Sequence, residues 1–222
     1  MPTTNIQSGI DGLVRQSSNT SYADAVGGSG NFNATTNNVA NVNTGTTFFC
    51  GRSYYRFDTT GIATDQVATS AAIIVQLESS NGGTTDDTEI HKFFNSTDHS
   101  SAFGSALFDT IGDAVTDAVD VGSTPDDFAL FTLDSTGLAY INTQIAAGNQ
   151  CAFLQRCQND YQNPGSDPSG VNFRVFTDFD NATSTDRPLL RITHDTPSTS
   201  TDKGMLTIHS NTIIVSSGLI KF

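Results

Sequence analysis

The 222-residue chain has no tryptophan, three cysteines and only ten lysine and arginine residues against 23 acidic ones. Each shortage excludes something. Three cysteines are too few to frame a disulfide scaffold. On a strand over 151–157, Cys151 and Cys157 share a face but lie roughly 20 Å apart, which no disulfide spans. Cys50 pairs with either one only if the fold brings them together, so free thiols are expected. A net charge of −13 argues against a nucleic-acid partner, whose phosphates need Lys and Arg to neutralise them. It argues equally against anionic membrane surfaces. No apolar run approaches the roughly 20 residues of a membrane span, so no membrane insertion is expected. The start, MPTTNIQSGIDGLVRQ, has no basic stretch and no apolar core of signal-peptide length.

Thr, Ser, Asn, Asp and Gly fill the deficit, and these residues favour turns and solvated β surfaces over long helices. Such a surface suits a salty, extracellular medium, yet no export signal is visible. A protein made in the host cytoplasm and released by lysis, as in a virion, satisfies both facts. The length suits a single β-sandwich with its own core.

Along the chain, 9–16 reads as a first strand and 17–47 as long loops with one short strand near Tyr22–Val26. Phe48–Phe57 alternates imperfectly, with Phe49, Tyr55 and Phe57 on one side; Ala71–Leu77 is a nearly continuous apolar run of strand length. Glu89–Phe94, Phe128–Leu133, Cys151–Arg156, Val171–Phe176 and Leu189–His194 read as further strands. Phe103, Leu107, Ile111 and Val115 recur at a spacing of four, one face of a helix that Gly104 and Gly112 would weaken. Asp134-Ser135-Thr136 can cap a helix with the face Leu138, Ile141 and Ile145, closed by Gly148. Short strands, turn-rich gaps and one or two short helices predict an all-β fold, a two-sheet antiparallel sandwich.

Nothing in the chain spells out catalysis. His91, His99, His194 and His209 have no metal-ligand spacing, and no GxSxG elbow, P-loop, HExxH or dinucleotide fingerprint occurs. A non-enzyme without cofactor is expected. Asp86-Asp87-Thr88-Glu89 and Asp178-Phe179-Asp180-Asn181 read as solvated turns or, through Asp178 and Asp180, as oxygen ligands for a structural Ca²⁺. Arg52, Arg56 and Asp58 share a strand face, which suits ion pairs that fix a strand edge or, alternatively, a ligand contact. Tyr22, Tyr54, Tyr140 and Tyr161 are the candidates for stacking on a glycan, Tyr161 first because it sits in the polar loop 159–170; ordinary anchoring of the loop is the alternative.

The composition changes after Asp195. TPSTSTDKG is a linker, and MLTIHSNTIIVSSGLIKF is apolar and β-branched. The expected division is a sandwich over 1–196 and a linker with a C-terminal β arm over 197–222. Leu206, Ile208, Ile213 and Val215, with Leu219, Ile220 and Phe222, would pack on their own domain as a hairpin or contact a neighbouring subunit.

The order Arg52-Ser53-Tyr54-Tyr55-Arg56-Phe57-Asp58, then Ile62, then Thr69-Ser70-Ala71 leading into Ile73–Leu77, resembles the DNRLRE-type jelly rolls. Asp11-Gly12-Leu13-Val14 is similar to that family's first strand, Phe131-Thr132-Leu133-Asp134 to its Asp-Val/Leu-Thr turn, and Asp186–Thr193 to its closing strand. These β-sandwiches are similar to carbohydrate-binding modules and occur on secreted proteins and in phage structural proteins. The resemblance covers roughly residues 6–195; the lack of Trp and the extra segment 197–222 depart from it. It implies a jelly roll serving as a virion structural protein, a capsid decoration or tail-associated subunit. Its partners would be copies of itself, phage capsid or tail proteins, and a host surface glycan. An extracellular carbohydrate-binding or adhesion module is the second reading.

Overall fold

The computed structural model describes residues 1–27, 31–33, 37–81, 87–93, 111–122, 124–157, 160, 167–168, 170–178, 180–195, 206–209 and 212–215. They form an antiparallel β-sandwich with two short α-helices. The first layer, sheet A, has the order β1–β11–β5–β8: the start of β1 (Thr3–Ser18), then β11 (Leu189–Asp195), β5 (Val67–Asn81) and β8 (Phe128–Thr132). The second, sheet B, is organised around β4 (Phe48–Phe57). One side of β4 pairs with β1, which also holds the short β2 (Asn31–Asn33). Its other side pairs with β3 (Asn37–Asn43) through Phe48–Gly51 and with β9 (Cys151–Cys157) through Ser53–Phe57. Beyond β3 lie β10 (Val171–Phe176) and the end of β5, and beyond β9 lie β6 (Thr88–Phe93) and β7 (Ile111–Ala114).

Two long strands join the layers. β1 pairs with β11 over Thr3–Gln7 and with β4 from Ser8 onward, with a bulge between Ser8 and Ile10. β5 pairs with β11 over Val67–Ile74 and with β10 over Leu77–Asn81. Bulges bend a strand and raise its twist, which lets one strand serve both sheets.

The main core lies between the layers. Ile73, Val75 and Leu77 of β5, Phe131 of β8 and Ile192 of β11 meet Tyr55, Phe57, Ile90 and Phe153 of sheet B, with Ile141 and Ile145 of helix α2 (Ser135–Ala147). Alternation explains the apolar run at Ala71–Leu77: its odd members face the core, while Ala72 and Ile74 are half-buried on the outer face. The imperfect alternation of β4 has a different cause. Its other face carries Cys50 and Tyr54 into a second cluster, with Leu154 of β9 and with Tyr22 and Ala25 of helix α1 (Tyr22–Val26). Both faces of β4 are therefore buried.

Three readings of the chain are corrected, one by a local cap and two by long-range pairing. Residues 22–26 are a helix, because Ser21 caps it by accepting from the Asp24 N–H and a helix this short shows no periodicity. The stretch read as loops contains β2 and β3, whose strand state is stabilised by β1, β4 and β10. Ile111–Ala114 is a strand beside β6 and not part of a helix; the earlier turns of that proposed helix lie outside the described residues. Gly112 suits that pairing, since a Cβ there would stand 2.6 Å from the Lys92 carbonyl oxygen. The helix after Asp134 forms as expected: the Asp134 carboxylate accepts from the Gly137 N–H, and Gly148 ends it in the left-handed region at φ 67°.

Candidate interaction site

The outer face of sheet B holds a buried charge network. Arg52 is 1% exposed and grips Asp160 with two bonds, Nε to Oδ2 at 2.8 Å and Nη2 to Oδ1 at 2.9 Å. Burial opposes the Arg52 charge, but the Asp160 carboxylate outweighs it and raises the guanidinium above its ordinary value. On β6, His91 Nε2 meets Glu89 Oε1 at 2.7 Å and Nδ1 meets the Gly112 carbonyl at 3.0 Å, with Arg156 Nε 3.2 Å from Nε2. Glu89, His91 and Arg156 are all buried. Packed in this way, the network ties strands together.

Of the proposed framework trio, Arg52 takes its carboxylate from 108 residues downstream. Asp58 lies past the end of β4 and accepts from the Thr60 N–H and hydroxyl, so it shapes a turn. Arg56 is half-buried on the same face as Arg52. All three cysteines are free and buried. Burial pushes the Cys151 thiol up to about 12, and burial with the Asp160 charge raises Cys50 well above its usual value. Neither is a thiolate near neutral pH, so neither is an activated nucleophile.

The glycan candidates separate. Tyr22 is fully buried against Cys50 and offers no ring to a sugar, a correction that follows from its place in the α1 cap over β4. Tyr161 lies outside the described residues. A polar cleft of about 480 Å³ occurs elsewhere, on sheet A, lined by Asn5, Gln7, Ser184, Thr185, Arg187 and Leu189. An apolar cleft of about 260 Å³ lies on sheet B between Leu13, Val42, Phe49 and Phe173.

Asp178 and Asp180 do come together. Partial burial first, then the Asp180 carboxyl and the Glu78 charge, push Asp178 up to about 6. No group of three or more His, Cys, Asp or Glu side chains converges as a metal site among the described residues. A carboxyl raised in the folded state is best tolerated when protonated. Its relative stabilisation is complete below about pH 4, the unfolded value, and is lost as pH rises through about 6. Asp178→Asn is therefore expected to melt higher than the parent at pH 7.5, with the gap shrinking toward pH 4 in thermal scans. A gap independent of pH would show that the carboxyl pair does not set it.

Sheet A carries the exposed apolar surface. Phe128 and Leu130 on β8 are 55% and 52% exposed. Leu130 lies opposite Ile74, which in turn lies opposite Leu189, so an apolar strip runs inward from the edge strand. Apart from this sandwich, β12 (Leu206–His209) and β13 (Thr212–Val215) pair with each other as a separate two-stranded sheet. Of the proposed arm residues, Leu206, Ile208, Ile213 and Val215 are in this hairpin; Leu219, Ile220 and Phe222 lie outside the described residues. No helix among the described residues is long and apolar enough to cross a membrane. Compared with known families and curated proteins, the chain matches no family model and no curated sequence.

Proposed function

We propose that this protein is a non-enzymatic structural subunit of a phage-like particle. It is a β-sandwich that joins copies of itself, and capsid or tail proteins, through its C-terminal arm. The observation that carries this reading is the β12–β13 hairpin, whose strands pair with each other and, among the described residues, with no strand of the sandwich. Exposed as a monomer, its apolar strands would be an aggregation hazard, and assembly covers them. The buried charge network supports the same reading, because side chains that tie strands together in the interior suit a rigid structural role. The resemblance to DNRLRE-type jelly rolls supplies the phage context and the decoration or tail assignment.

The full chain is expected to run as an oligomer and a chain ending at Asp195 as a monomer, both measured by light scattering. Identical monomers would refute the arm. The polar cleft of Asn5, Gln7 and Arg187 favours a second reading, adhesion through a glycan, since amides and a guanidinium pair well with sugar hydroxyls. Glycan-array binding by the monomer, lost in Arg187→Ala, would mark that reading as the main one.

A further inference from the structure

Strand β8 is the edge of sheet A among the described residues, pairing there only with β5. Natural edges are blunted by charge, proline or bulges. The β8 sequence FALFT has no charge and no proline, and its ladder to β5 is continuous from Phe128 to Thr132. Its outward side chains, Phe128 and Leu130, are 55% and 52% exposed, and among the described residues no other strand carries two exposed large apolar groups. An edge with these properties is a template for another strand.

The hairpin is the matching piece. Its strands, LTIH and TIIV, are apolar, β-branched and in continuous antiparallel register from Leu206↔Val215 to His209↔Thr212. A lone two-stranded hairpin is marginal in water and needs a third strand or an apolar surface. Charge agrees: Asp126 and Asp127 precede β8 and Asp134 follows it, whereas residues 197–222 hold Lys203 and Lys221 against the single acid Asp202.

We propose that the β12–β13 hairpin of one copy docks on β8 of a second copy, extending sheet A across the subunit boundary and covering Phe128 and Leu130. This rests on the arm-mediated assembly proposed above and names its acceptor. A ten-residue linker reaches up to about 33 Å, and among the described residues the hairpin pairs only with itself and β8 only with β5. The docking is therefore assigned to the neighbour. Reciprocal exchange closes a dimer, and one-way exchange closes a ring.

Leu130→Lys in the full chain tests the acceptor. The side chain is half-exposed, so the sandwich is expected to fold, checked by its thermal transition, while the mass in solution falls to that of the monomer. If truncation after Asp195 dissociates the assembly and Leu130→Lys leaves it intact, the β8 acceptor is wrong and the arm stands. If the full parent chain is itself a monomer, both fail. A second measurement does not depend on that variant folding. A chain carrying Thr132→Cys is mixed with one carrying Thr207→Cys under mild oxidation, the native cysteines being buried. A disulfide between the two chains is expected. Its absence, or a bridge that forms only when both cysteines are on one chain, would overturn docking on a second copy.

Discussion

Asp160→Ala is expected to destabilise the sandwich by about 3–5 kcal/mol, the range for removing one partner of a buried ion pair. The side chains of Arg52 and Asp160 are 2% and 0% exposed, and the pair is bidentate. Without the carboxylate, the guanidinium stays in its buried, low-dielectric site and loses the bidentate partner that offsets its desolvation. The loss would read as a lower midpoint in urea unfolding. The pair as a whole contributes less than that figure suggests, because desolvating two ions offsets most of their attraction. Arg52→Met combined with Asp160→Leu is accordingly expected to recover most of the stability. A double variant as unstable as Asp160→Ala alone would show that an unpaired charge is not the cause.

Phe153→Ala should cost a similar amount, about 3–5 kcal/mol, through lost burial and the cavity left behind. The ring is fully buried, 6.1 Å from the Phe57 ring and edge-on to Tyr140 at 5.4 Å. Collapse into the gap is restricted, because the Tyr140 hydroxyl accepts from the Ala152 N–H and donates to the Ala152 carbonyl. Phe57 is held in the β4 ladder opposite Cys151. The upper half of the range is therefore expected in denaturant titrations, with Phe153→Leu losing clearly less. Equal losses in the two variants would mean the aromatic contacts, and not the cavity, set the cost.

These two positions differed in how far the chain announced them. Phe153 sits in an apolar run of strand length, so its burial follows from pattern. Arg52 was visible as one of few arginines in a strand, but its partner was not. Parity pointed to Asp58, four residues past Tyr54, and that carboxylate instead serves the Thr60 turn. Asp160 lies 108 residues away in sequence, and nothing local marks one acid among 23. Tyr22 shows the same limit: its ring chemistry suits a sugar, and only the packing of α1 on β4 hides it.

What the residues determined alone is what depends on near neighbours. Alternation marked β4 and β8, strand-length runs between turn-rich gaps marked β5, β9, β10 and β11, and Asp134 with Gly148 marked α2, because side-chain direction, capping and left-handed glycine act within a few residues. What only the tertiary structure decided is what depends on partners far along the chain. The strand state of 37–43 and 111–114, the two buried faces of β4, the Arg52–Asp160 pair and the exposed edge at Phe128 and Leu130 all arise when distant strands meet. Hydrogen bonding and burial there come from residues that no local pattern names.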